Sequence, residues 1–131
     1  MTSEEIIEYW INLSDSDLKV AETMFNNKHN LYTGFMCHQV IEKILKAYYE
    51  KIKNEVAPYT HNLIRLSELT GIYDLFSEEQ KNFLSEMNPL NIEARYPDYK
   101  QKIAQSLTDE RCKYIFDETI KLQQWIKEKI L

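Results

Sequence analysis

Apolar side chains along this chain recur at intervals of three and four, the spacing that gathers them on one face of an α-helix. Ile6, Trp10, Leu13, Ala21, Met24 and Phe25 trace a first helix, with Ser3 as its expected N-cap, Glu4 and Glu5 in its first turn and an end near Asn26. A polar break of Asn26, Asn27, Lys28, His29 and Asn30 precedes a second helix over residues 32–53, whose stripe is Cys37, Val40, Ile41, Ile44, Tyr48 and Ile52. Two helices of about twenty residues joined by so short a break imply an αα-hairpin about 30 Å long.

Past Pro58, Thr60 is the expected N-cap of a shorter helix bearing Leu63, Leu66 and Leu69 and closed by Gly71. Ser77-Glu78-Glu79-Gln80 fits a capping box and opens a helix carrying Phe83, Leu84 and Met87, which Asn88-Pro89 stops. Residues 91–102 lack a clean period and read as an ordered loop packed by its aromatics, because Pro97 drives Tyr96 out of the α region. Thr108, Asp109 and Glu110 open a last helix with Cys112, Ile115, Phe116, Thr119, Leu122, Ile126 and Ile130 on its inner stripe. No segment alternates with period two, so the pattern predicts an all-α, antiparallel up-and-down bundle of four to five helices, with residues 1–131 as a single domain.

Composition narrows the classes further. The 131 residues include only 2 Gly and 3 Pro, too few for the many turns of a sandwich or barrel. A net charge of −5 repels nucleic acid in bulk, so any anion site must be local. Charge is polarised along the chain: residues 1–30 are mainly acidic, whereas residues 41–65 carry more basic than acidic side chains. Cys37 and Cys112 both sit in helical stripes and are expected as buried thiols, which suits a cytoplasmic location. No signal-peptide pattern and no membrane-spanning apolar run is visible.

Several polar residues do not fit a plain bundle. Asp17 shares the face of Trp10 and Ala21, where it is either an edge carboxylate or the holder of a basic residue from the second helix. Opposite the second helix's apolar stripe, His38, Gln39, Glu42, Lys43 and Lys46 fall into one patch; it reads as a solvated face or as a surface for a phosphate or base edges. His61 is placed in the first turn of the third helix, where free N–H groups attract anions, although capping or packing is the simpler role. Arg95 offers fixed donors to a phosphate, or a structural bridge to Glu42, Asp17 or Asp98.

Taken in order, four elements resemble the HEPN domain family of helical nucleotide-binding modules: Trp10-x3-Ser14-x2-Asp17-Leu18-x2-Ala21, His38 to Ala47 with its Glu-Lys-x-x-Lys-Ala core, Thr60-His61-Asn62-Leu63, and Ala94-Arg95-Tyr96-Pro97-Asp98. The resemblance implies a homodimeric bundle that serves a minimal nucleotidyltransferase as substrate-binding or regulatory subunit. It also implies what is missing. The family's ribonuclease branch uses an Arg followed four to six residues later by a His in the last helix, and none of Arg65, Arg95 and Arg111 has a His at that offset. The residues three before His29, His38 and His61 are Asn26, Phe35 and Pro58, which excludes bundle di-iron pairs, and two glycines exclude phosphate loops. No metal or other cofactor is expected.

The expected ligand-binding set is therefore Gln39, Glu42, Lys43, Lys46, His61 and Arg95, supported by Asp17, His38, Tyr96 and Asp98, on a non-catalytic module. Lys43, Lys46 and Arg95 would neutralise phosphate. Two alternatives stand beside it: a metal-independent ribonuclease or toxin built on His61 with Arg95, and a purely protein-binding subunit in which Asp17, Glu42, Lys46 and Arg95 pair internally.

Overall fold

A computed structural model describes residues 1–93 and 96–131. The chain folds into six α-helices: α1 Ser3–Asn26, α2 Asn30–Lys53, α3 Leu63–Thr70, α4 Glu78–Met87, α5 Pro97–Ser106 and α6 Asp109–Ile130. Short 3-10 turns follow α3 at Ile72–Leu75 and α4 at Asn88–Leu90, and no strand occurs among the described residues.

Helix ends follow local chemistry. The N-cap of α1 is Thr2 rather than Ser3, because Thr2 and Glu5 exchange side-chain and backbone hydrogen bonds as a capping box. Ser77 and Gln80 do the same for α4, and Thr108 caps α6. The cap of α3 is Asn62, not Thr60; its Oδ1 accepts from Arg65 N at 3.1 Å while Thr60 Oγ1 accepts from Asn62 N at 3.2 Å in the turn before it. Residues 97–106, expected as loop, form a helix. Pro97 occupies its first turn, where a missing N–H costs nothing, and Tyr96 is its extended N-cap.

The α1–α2 hairpin packs on α6, with α3 and α4 along the other side of α2. Around this central helix the core gathers Val40, Ile41, Ile44 and Leu45 of α2, Leu63 and Leu66 of α3, Leu84 and Met87 of α4, and Ile115, Leu122 and Ile126 of α6. From Ile44 to Glu50 every residue of α2 is buried. A helix covered on all sides must enclose its polar stripe too, and that decides what happens to the charged residues on it.

By contrast α1 is fully buried only at Ser14 and Ala21, small residues that let it approach its neighbours closely. The Ser14 hydroxyl donates to the Val40 carbonyl at 2.7 Å and accepts from Gln123 Nε2 at 3.1 Å, linking α1, α2 and α6. Beside it, Asp15 accepts from Gln123 at 2.9 Å and from Lys127 at 2.7 Å. Both cysteines are buried and unpaired, as their stripes predict. Among the described residues no helix is long and apolar enough to cross a membrane.

Candidate functional site

The polar stripe of α2 is not a solvated face. Glu42 is 2% exposed and accepts two hydrogen bonds: from Lys46 Nζ on Oε2 at 3.1 Å and from His61 Nδ1 on Oε1 at 2.8 Å. Burial pushes the Glu42 carboxyl up, but His61, Lys46 and Lys43 together outweigh it and hold it below its ordinary range. The carboxylate is thus kept ionised inside the bundle.

His38, one turn earlier, is fully buried, and burial pushes its pKa down to about 4 against the pull of Gln39 and Glu42. It is therefore neutral at pH 7 and carries a single ring proton. Its Nε2 lies 3.1 Å from the His61 carbonyl, which can only accept, so the proton sits there. Nδ1 then presents a lone pair toward the Gln39 side-chain amide, whose Oε1 is placed 3.2 Å away, so a hydrogen bond there requires the amide in its flipped orientation. The 3.9 Å approach of His38 Nδ1 to Glu42 consequently joins two acceptors and is no ion pair.

His61 is in this way held twice. His38 fixes its backbone carbonyl and Glu42 fixes its ring, while the side chain stays 38% exposed. It precedes the cap of α3 rather than lying in the helix's first turn as the sequence suggests. Two of the first-turn α3 amides are in any case taken: Leu63 N donates to Asn88 Oδ1 at 2.8 Å and Arg65 N to Asn62. With Nδ1 committed to Glu42, Nε2 is the ring nitrogen left to face a visitor, and among the described residues nothing bonds it.

The remaining members separate. Asp17 holds Lys43 across the hairpin at 3.6 Å, so of its two roles the pairing is the one found. Burial nonetheless outweighs Lys43 and raises the Asp17 carboxyl above its ordinary value. Lys43 and Lys46, expected to be available to phosphate, are each engaged by a carboxylate, and Asp17 and Glu42 belong to two neighbouring pairs rather than one closed network. Tyr96 and Asp98, at the start of α5, make no hydrogen bond, ion pair or ring contact with the cluster. Arg95 lies outside the described residues. No group of His, Cys, Asp and Glu among the described residues is arranged to hold a metal ion.

Three further residues join the site: Trp10, which opens the first of the sequence elements quoted above, and Glu50 and Tyr59, which the sequence did not single out. Glu50 continues the stripe one turn past Lys46, is buried, and accepts from Trp10 Nε1 at 2.8 Å. Trp10 and Tyr59 both set their rings near the Lys46 ammonium, at 5.4 and 5.9 Å. The i,i+4 step from Lys46 to Glu50 was legible; the place of Tyr59 depends on how the 54–62 connection turns back over α2. A groove of about 740 Å³ between α4 and α6, floored by Phe83, Tyr114 and Trp125 and rimmed by Glu79, Glu86 and Glu118, includes none of the expected site residues.

An all-helical bundle of this order, with a buried polar stripe on its second helix clamping a histidine ahead of its third, agrees with the sequence elements quoted above. The chain belongs to the HEPN domain family, whose model matches residues 7–130. Domains of this family are generally related to nucleotides or RNA. No curated protein and no solved structure matches it significantly.

Proposed function

We propose that residues 1–131 act as one non-catalytic binding module for a nucleotide or polynucleotide end, and serve as substrate-binding or regulatory partner of a minimal nucleotidyltransferase in the cytoplasm. The observation that carries this reading is the double clamp on His61, which fixes an imidazole with one free nitrogen at the mouth of the cluster. Holding a recognition group rigid lowers the entropy lost on binding. Gln39 and Lys43, partly buried on the same helix as Glu42, supply further hydrogen bonds, whereas Glu42, Lys46 and His38 act from behind as supports, and Arg95 is the phosphate partner. Because HEPN domains often form dimers, the module is read as a homodimer.

Titration with nucleotides and short RNA, comparing the parent protein with Lys46→Ala and Arg95→Ala, tests the reading. Saturable binding that weakens in both variants is expected; absence of binding by all three removes the ligand and leaves a protein-binding subunit, which the closed Asp17–Lys43 and Glu42–Lys46 pairs would suit. Co-purification with a nucleotidyltransferase tests the partner.

One observation favours a second reading. A carboxylate that fixes one ring nitrogen of a histidine and leaves the other outward is the arrangement of a proton acceptor, here available to a ribose 2′-hydroxyl in metal-independent RNA cleavage. Incubation of labelled RNA with chelator decides: cleavage that disappears in His61→Ala would place this reading first.

A further inference from the structure

We infer that Tyr59 is a stacking ledge for an unpaired nucleobase, and that His61 Nε2 meets the same nucleotide at its base edge or ribose hydroxyl. Tyr59 is 94% exposed, the most exposed aromatic residue of the described chain. The His61 ring meets it edge-on, with centroids 5.6 Å apart and planes at 65°, and the Lys46 ammonium lies 5.9 Å from its centroid. Lys46 is itself 5% exposed and hydrogen-bonded to Glu42, so the charge near the ring is fixed in place. The backbone is equally constrained: Pro58 precedes it, and Thr60 N donates to the Pro58 carbonyl at 2.9 Å across the tight turn that Tyr59 occupies.

A large ring that is bare over nearly all its surface leaves apolar area in water that another flat surface covers well. A nucleobase has that shape, and stacking on an aromatic side chain is worth about 1–3 kcal/mol per base. The ammonium near the ring draws on its π density, which lessens the repulsion of an electron-rich base laid on the outer face. His61, two residues on, sets its ring against the same tyrosine and, with Nδ1 committed to Glu42, has Nε2 to offer. The ledge therefore supplies what the paired lysines do not: an attraction to the base rather than to the phosphate.

This inference rests on the nucleotide-binding reading, so the test separates the two. Adenosine 5′-monophosphate and ribose 5-phosphate are titrated into the parent protein, Tyr59→Phe and Tyr59→Ala; an exposed side chain can be cut back without unfolding the bundle, which circular dichroism verifies. The mononucleotide should bind the parent and Tyr59→Phe alike and Tyr59→Ala about 10-fold or more weakly, while ribose 5-phosphate binds the parent at least as weakly and ignores both substitutions. Equal binding by parent and Tyr59→Ala, or ribose 5-phosphate as tight as the nucleotide, overturns the ledge and leaves nucleotide binding standing. Failure of the parent to bind the nucleotide overturns both.

Discussion

His61 and Glu42, 19 residues apart in the chain, meet at 2.8 Å over a carboxylate that is 2% exposed. The same carboxylate neutralises Lys46, whose side chain is 6% exposed. Removing Glu42 by Glu42→Ala leaves a buried ammonium without a counter-charge, and should lower stability by about 3–5 kcal/mol. Glu42→Gln, which keeps the shape and an acceptor, should cost less. Urea unfolding midpoints measure both, and a Glu42→Ala midpoint within error of the parent would contradict the enclosure of this pair.

The neutral His38 makes stability depend on pH. Its folded pKa, about 4, lies below the ordinary 6.5, so between those values the unfolded chain takes up a proton that the folded one refuses. Stability from this group is fully present above pH 6.5 and is lost as pH falls toward 4, by about 3 kcal/mol across the window at 1.36 kcal/mol per unit. Glu42, also lowered, adds a further loss at still more acid pH, below the ordinary glutamate range. Unfolding free energies at pH 7, 6 and 5 should decline, and His38→Gln should flatten that decline.

Cys37 should be silent to thiol reagents. It is fully buried, and burial pushes its thiol up to about 12, so almost no thiolate exists in the native state. Labelling with iodoacetamide should follow global unfolding in urea; rapid labelling in buffer would show that α2 opens on its own.

The αα-hairpin, the α4 capping box and the last helix were legible because each joins a regular apolar stripe to a cap. The helix at Pro97–Ser106 was not: its only buried residue is Ile103, and one apolar contact makes no period. The polar stripe of α2 was legible as a patch from its spacings, but not as an interior. Periodicity says which residues share a face and is blind to whether α1 and the 54–62 connection will cover it. The same blindness hid the contact of Glu50 with Trp10 and that of Tyr59 with Lys46, each made across two segments.

Gly71 closes α3 at φ +81°, with nothing within 4 Å of where a Cβ would stand. Gly71→Ala should therefore be destabilising through backbone strain alone, by about 1 kcal/mol, and leave the core unaltered. Thermal denaturation by circular dichroism tests it; an unchanged midpoint would mean that the αL turn relaxes.

With only Ser14 and Ala21 fully covered, α1 lies on the outside of the bundle, laid along α2. Its amides should trade hydrogen for deuterium well ahead of those in α2, whose second half is enclosed on every side.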